Sequence, residues 1–266
     1  MEKVILITGI SSGFGEQTSR LLAERGHIVY GTLRKDGPAP PGVKTLIMDL
    51  THPESIRAAV ETVVQKEGRL DVLINNAGMH SGGPIEEAPP ELFARQINTN
   101  VNGMVLLLQQ ALPHMRERGG GTIINISSIG GLMGLPFQGF YSASKFAIEG
   151  LSEALRMELK PFHINVIVIN PGDFATRNTA NRTNITVKNG PYEAQFQKSL
   201  AQIEKDETGG QDPVVLARKL CRIVESKRPC KRYVIASFEQ KLAVALKRIL
   251  PEGWFMGILT SHYKIG

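Results

Sequence analysis

Short runs of aliphatic and β-branched residues, near 3–8, 27–32, 44–48, 71–75, 122–127, 164–169 and 232–236, alternate with segments of helical periodicity along the chain. Strands joined by helix-length crossovers pair in parallel, so this alternation predicts an α/β fold, a doubly wound and mostly parallel sheet of seven strands. The runs TIINI and INVIVI lack polar alternation, as strands covered on both faces do, and are expected in the middle of the sheet. At 266 residues and 42% hydrophobic content, one such domain with a modest appendage accounts for the chain. Residues 1–236 read as that domain, with a polar, potentially mobile substrate loop at 173–211, and 237–266 as a C-terminal helical tail.

In MEKVILITGISSGFGEQTSRLLAERG the first run, Val4 to Ile7, passes through a glycine turn directly into an amphipathic helix. A helix N-terminus behind such a turn favours an anion, because free N–H groups and the helix dipole converge there. Gly9 permits the tight turn, Gly13 lets backbone approach a pyrophosphate, and Gly15 allows close packing of helix on sheet. The spacing is G-x-x-x-G-x-G rather than G-x-G-x-x-G. Its place between strand and helix nevertheless reads as the opening of a Rossmann-like, dinucleotide-binding domain. Ligands of such sheets bind beyond the carboxyl ends of the strands, and Gly9, Asn76, Ser128 and Pro171 each follow a predicted strand. One crevice should gather them.

Downstream, Tyr141 stands four residues before Lys145 and thirteen after Ser128. Tyr141 and Lys145 share a helix face whose inward stripe is expected to continue through Ile148, Leu151, Leu155 and Leu159. A free tyrosine has a pKa of about 10, and a nearby cation favours the phenolate, so Lys145 is expected to lower Tyr141. A phenol, an ammonium and a hydroxyl on one carbonyl oxygen point to hydride chemistry on a ketone or alcohol. At the end of the second run stands Thr32-Leu33-Arg34-Lys35, where an NAD-dependent protein would place an acid for the ribose hydroxyls. Arg34 offers a charge-assisted fork to a 2′-phosphate instead, so NADP(H) is favoured over NAD(H).

Taken in order, TGISSGFG (8–15), NNAG (75–78), N-V-N-G (100–103), the Ser128/Tyr141/Lys145 set and PGDFAT (171–176) resemble the short-chain dehydrogenase/reductase family. The stretch GGLMGLPFQGFYSASKFAIEGLSEAL is similar to the branch holding 17β-hydroxysteroid and retinol dehydrogenases. The resemblance implies that Tyr141 protonates a ketone oxygen while Ser128 orients it, and that Lys145 also binds the nicotinamide ribose. Asn100 and water would carry the proton outward. It further implies cofactor contacts from Ser11, Ser12 and Phe14 in the turn, Asp49 and Leu50 at the adenine, and Asn76, Ala77 and Gly78 beside the ribose. Pro171, Gly172 and Thr176 would close around the nicotinamide. Asn75 is expected to hold the sheet. No metal is required, and a homodimer or homotetramer is the family's usual assembly.

Substrate identity is less constrained. Met133, Leu135, Pro136 and Phe137 read either as an apolar pocket wall or as loop packing, and His80 either as a substrate contact or a packing residue. Asp49 would otherwise be an ordinary turn aspartate. Of the net charge of +6, residues from Gln211 onward carry +7, from eleven Lys/Arg and four Asp/Glu. The tail, with Leu242, Leu246, Ile249 and Leu250 on one face, should pack as a lid or dimer element, with membrane-surface contact as the alternative. No recognition-helix pattern points to nucleic acid. Cys221 and Cys230 read as reduced thiols, and no leader or spanning segment is evident, so a cytoplasmic protein is expected. The functional expectation is a reductase or dehydrogenase acting on an apolar carbonyl or alcohol substrate, against a nucleotide-sensing regulator with little turnover. A sugar-nucleotide epimerase would need a longer substrate domain.

Overall fold

Four consecutive aliphatic residues without polar alternation form a strand that needs cover on both faces, and Val4–Ile7 (β1) is buried throughout. The computed structural model, which describes residues 1–176 and 182–265, sets β1 in a seven-stranded sheet. The other strands are β2 (Ile28–Leu33), β3 (Val43–Ile47), β4 (Val72–Asn75), β6 (Gly121–Ile126), β7 (Ile164–Pro171) and β9 (Arg232–Ile235). Their order is β3-β2-β1-β4-β6-β7-β9, and every pair is parallel. Two short strands, β5 (Ser81–Gly82) and β8 (Thr183–Asn184), pair separately. All seven expected strands form. The strands at 122–127 and 164–169 are interior, but β4 is central and β7 adjoins the β9 edge. Helical cover on both faces, not position, sets their apolar character.

Helices α2 (Pro53–Glu67), α4 (Gly103–Glu117) and α5 (Gly139–Glu158) cover one face, where Val60, Leu107 and Ile148 join Leu6 and Leu73. On the other, α1 (Gly13–Glu24) and α7 (Pro213–Glu225) bury Leu22, Leu216 and Leu220 against Ile5 and Ile124. Cys221 lies buried there, Cys230 is exposed, and both are free thiols. The short α3 is Pro90–Ile97. Among the described residues no helix is long and apolar enough to cross a membrane.

Three expectations are corrected. Leu151 is 38% exposed, while Lys145, Ile148, Glu149 and Ser152 form the inward stripe of α5. Six residues beyond Lys145, Leu151 sits about 120° off that stripe at roughly 100° per residue. The segment 173–211, expected as a polar loop with few anchors, contains α6 (Glu193–Thr208), which buries Phe196, Ser199, Ile203 and Glu207 at helical spacing. Residues 177–181 lie outside the described residues. The tail forms α8 (Phe238–Ile249) and α9 (Glu252–His262), packed on Met133 through Val244 and Phe255. Leu246 and Leu250 are partly buried as expected, but Leu242 and Ile249 face solvent.

The chain leaves β1 for β2 and β3 on one side and returns to β4 on the other, so the carboxyl ends of β1 and β4 diverge at a switch point. Thr8 bridges it. Its buried hydroxyl accepts the N–H groups of Asn76 at 3.0 Å and Ala77 at 2.8 Å. The Asn76 amide donates back to the carbonyls of Thr8, 2.8 Å, and Gly9, 3.0 Å. A Cβ on Gly15 would lie 2.0 Å from the Gly9 carbonyl oxygen, so glycine alone lets α1 start this close to the turn. Asn75 does hold the sheet, donating to Asn125 at 2.8 Å, which donates to Ser152 of α5 at 2.9 Å.

Because Thr8→Val is nearly isosteric but removes an acceptor from two backbone donors, it should lower the unfolding free energy by about 2–6 kcal/mol, at roughly 1–3 kcal/mol per stranded donor. Thr8→Ser should retain most of that stability. Denaturant unfolding of the three proteins checks both expectations.

Candidate active site

The carboxyl ends of the central strands open onto a crevice of about 1380 Å³. A single small-molecule pocket spans roughly 300–1,000 Å³, so this one has room for a dinucleotide and a second ligand together. At one end Gly9 and Gly13 adopt φ of 73° and 61°, conformations that favour glycine. Ser11, Ser12, Gly13 and Phe14 line the wall where α1 begins, beside the N–H groups a first helical turn leaves without intrahelical partners. Gly15 stands behind them against Gly9. Ser12 caps the helix without a side-chain bond to it. This cradle fits a pyrophosphate.

Arg34, exposed just past β2, lines the crevice with Asp49 and Leu50. Asp49 is both a turn residue and a wall residue. It accepts the N–H of Thr51 at 2.8 Å and its hydroxyl at 2.7 Å, bonds that hold its carboxyl below the usual range. Asn76, Ala77 and Gly78 line the middle. Asn100 lies behind them, buried in a π-helical turn at Asn98–Asn102, a distortion frequent at functional sites. Its Oδ1 accepts the Met79 N–H at 2.8 Å, and its Nδ2 donates to the Met79 carbonyl at 2.9 Å and Ser144 at 3.0 Å. The side chain is thus fully engaged in holding the segment after NNAG. Pro171 and Gly172 end β7, and Thr176 reaches the glycine turn, where a Cβ on Gly13 would lie 3.5 Å from it.

Ser128, Tyr141 and Lys145 meet at the other end. Ser128 follows β6 and caps a short 3₁₀ turn, its hydroxyl accepting the Gly130 N–H at 3.0 Å. Burial pushes the Tyr141 phenol up to about 12, against the downward pull of its hydrogen bond with Ser128. Lys145 Nζ donates to the Ile126 carbonyl at 2.8 Å and lies 5.6 Å from the centroid of the Tyr141 ring. Burial lowers Lys145 to about 8, opposed by the charge of Glu149 one turn along α5. The phenol thus shifts opposite to the direction expected from Lys145, because desolvation dominates and the opposing pulls come from Ser128 and Arg182.

His80, read in the sequence as a substrate contact or a packing residue, lines the crevice and packs there on the phenol. Buried His80, brought down to about 3 by desolvation, stacks on Tyr141 with centroids 4.0 Å apart. Asn170 donates to the Ser128 carbonyl at 2.9 Å and to Glu149, while Arg232 pairs with Glu149 at 2.6 Å. Asn170, Glu149 and Arg232 were not singled out in the sequence, and of these only Glu149 carried a local signal, its place four residues after Lys145. At the substrate end Met133, Leu135 and Ile203 line an apolar wall, but Asp173, Asp206 and Glu207 line it too. Burial, with the neighbouring Asp206 and Glu207, raises Asp173 to about 6. Met133 also packs under α8, so both readings of that residue hold, whereas Phe137 packs on Phe196. Among the described residues no His/Cys/Asp/Glu cluster is arranged to hold a metal.

Comparison with known proteins identifies the family and the fold. A profile of the short chain dehydrogenase family matches residues 3–185. The chain is 48% identical over 265 residues to a 3-ketodihydrosphingosine reductase of Bacteroides thetaiotaomicron, covering 99% of this chain and 98% of that one. It is 41% identical over 189 residues to human 17-beta-hydroxysteroid dehydrogenase type 1, covering 65% of this chain and 57% of that one. Its fold matches a short-chain dehydrogenase from Streptomyces avermitilis with a TM-score of 0.83 at 30% identity, over 99% and 97% of the two chains. Related structures carry either cofactor. A 3-ketoacyl-(acyl-carrier-protein) reductase from Brucella melitensis was solved with NADH (TM-score 0.72, 27% identity, 88% and 95% coverage). ElxO was solved with NADP (TM-score 0.73, 25% identity, 88% and 96% coverage). The chain belongs to the short-chain dehydrogenase/reductase family of oxidoreductases acting on CH–OH groups.

Proposed function

We propose that this protein is an NADP(H)-dependent reductase of a long-chain amino ketone of the 3-ketodihydrosphingosine kind. The observation that carries the reading is the acid-lined substrate end beside Tyr141, taken with 48% identity across nearly the whole of a reductase of that compound. Asp173, with Asp206 beside it hydrogen-bonded to His262, suits an ammonium group near the reacting carbonyl, whereas Glu207 is paired with buried Arg182, and Met133, Leu135 and Ile203 suit an alkyl chain.

A nicotinamide held in the crevice would supply the hydride. Gly9 to Phe14 would hold its diphosphate on the α1 N-terminus, Asn76 to Gly78 a ribose, Pro171, Gly172 and Thr176 the nicotinamide end, and Arg34 the 2′-phosphate. Tyr141 protonates the ketone oxygen, and Ser128, hydrogen-bonded to the phenol, donates to the same oxygen. A phenol raised to about 12 is fully protonated near neutrality, which supports the reducing direction. Stacking on neutral His80 fixes the ring. Lys145 would bind the nicotinamide ribose and offset charge on the phenol, while Asn100 and water would carry the proton outward. Phe146, Gly150 and Met157 share an exposed outer face of α5, which supports a homodimer or homotetramer.

Tyr141→Phe should leave less than about 1% of turnover, since general-acid catalysis contributes roughly 10²–10⁴-fold, with NADPH affinity within threefold by fluorescence titration. Arg34→Ala should raise the KM for NADPH about tenfold or more and leave that for NADH nearly unchanged, because one charge-assisted bond contributes roughly 1.5–3 kcal/mol. With an amino-ketone substrate, kcat/KM should fall as pH drops through about 6, where Asp173 takes up a proton and loses its charge. Asp173→Asn should remove that limb and raise the KM for the amino ketone more than for the ketone lacking the amine. A pH–rate profile with both substrates checks this.

A further inference from the structure

One solvent-facing strip of α8 is apolar. Phe238, Leu242, Ala245 and Ile249 recur at i, i+4, i+7 and i+11, one helical face, and all are exposed, Phe238 at 80% and Ile249 at 77%. The opposite side, through Ala243 and Val244, packs on Met133 and Phe255. A helix of an ordinary globular surface turns polar residues outward, and here Glu239, Lys241 and Arg248 do so only on the flanks of the apolar strip. Beside it α9 buries Phe255 but leaves Trp254 at 72%, Met256 and Ile258 exposed.

Charge borders the ridge on one side. Lys241 and Arg248, both exposed, are helical neighbours of Ala245. Residues 237–266 hold four Lys/Arg and two Asp/Glu. Apolar and aromatic residues flanked by basic ones are the composition of helices that lie in the plane of an anionic bilayer surface. The inner side of α8 walls the crevice through Gln240 and Ala243, and α9 joins crevice to surface, since Ile258 lines the crevice and is also exposed.

We propose that α8 and α9 dock on an anionic phospholipid bilayer, with Phe238, Leu242, Ile249 and Trp254 at the acyl boundary and Lys241 and Arg248 against headgroup phosphates. Docking there brings the substrate end of the crevice to the lipid, so that a ketone dissolved in the bilayer reaches Tyr141 without crossing bulk water. That last consequence rests on the lipid-substrate reading above, whereas the docking itself does not.

Trp254 is the only tryptophan of the chain, so its emission reports directly on this face. Full-length protein is titrated with phosphatidylcholine vesicles containing phosphatidylglycerol and with vesicles of phosphatidylcholine alone, following emission and co-sedimentation. The expected result is a blue shift and at least tenfold stronger partitioning on the anionic vesicles, reduced by high salt. The doubly substituted Phe238→Ser, Ile249→Ser protein, which keeps Trp254, should lose that partitioning at least tenfold with an unchanged circular dichroism melt. No binding of the unsubstituted protein to anionic vesicles would overturn the proposal. So would a lipid-free dimer with blue-shifted emission that the double substitution dissolves, since the face would then belong to a second copy. No substrate is present in the measurement, so its failure is distinct from a failure of the reductase reading.

Discussion

Parallel pairing between β1 and β4 ends at Ile7 and Ile74, and beyond that point side chains hold the crevice together. The Thr8 hydroxyl takes two backbone N–H groups that the sheet no longer pairs, and Asn76 returns two bonds to the carbonyls of the glycine turn. Asn100 holds Met79 by both its N–H and its carbonyl from the opposite side. The chain from Asn75 to Met79 is therefore fixed at each end by buried polar side chains. An unmade bond at any of them would leave a buried donor or acceptor without a partner, which is the costly side of hydrogen-bond energetics. The phosphate cradle and the wall opposite it are thus built into the fold before any ligand arrives.

The same economy governs α5. Its inward stripe alternates reactive and supporting groups, Tyr141, Lys145, Glu149 and Ser152, where an ordinary core helix would place aliphatic side chains. Burial disfavours charge on the phenol and the ammonium alike and drives their pKa values toward the neutral forms. Glu149 counters that pressure on Lys145, and Asn170 and Arg232 satisfy Glu149 in turn while Asn170 also holds the Ser128 backbone. Ser128 and Lys145, on different elements, are tied through one network, so the trio keeps its geometry.

What the sequence made legible follows from distance along the chain. Strand runs, the glycine turn, the Tyr141–Lys145 spacing and the order of motifs depend on neighbours within a few residues, and all seven strands form where the pattern placed them. Thr8 with Asn76, Asn170 with Ser128, and His80 with Tyr141 join residues tens of positions apart through hydrogen bonds and stacking that carry no periodic signal. Polar composition hid α6, because its buried positions include Ser199 and Glu207 beside Phe196 and Ile203. In the tail the apolar residues outnumber those a single packed face can bury. Period alone therefore could not tell which of Leu242, Val244 or Ile249 would face inward.

The C-terminal helices are coupled to the reacting end by Gln240. It completes a capping box with Ser237 at the start of α8, and its side chain also accepts the Asp173 N–H and donates to the Asp173 carboxylate. A Cβ on Gly172 would lie 2.0 Å from Gln240 Oε1, so this contact requires the glycine. One amide thereby joins helix start, crevice wall and the carboxylate nearest the proposed ammonium site. An element that both closes the crevice and exposes an apolar ridge cannot shift without moving Asp173, because the bond network leaves that residue no independent anchor on the α8 side. Gln240 thereby links the position of α8 to the Asp173 carboxylate, whose charge acts on Tyr141.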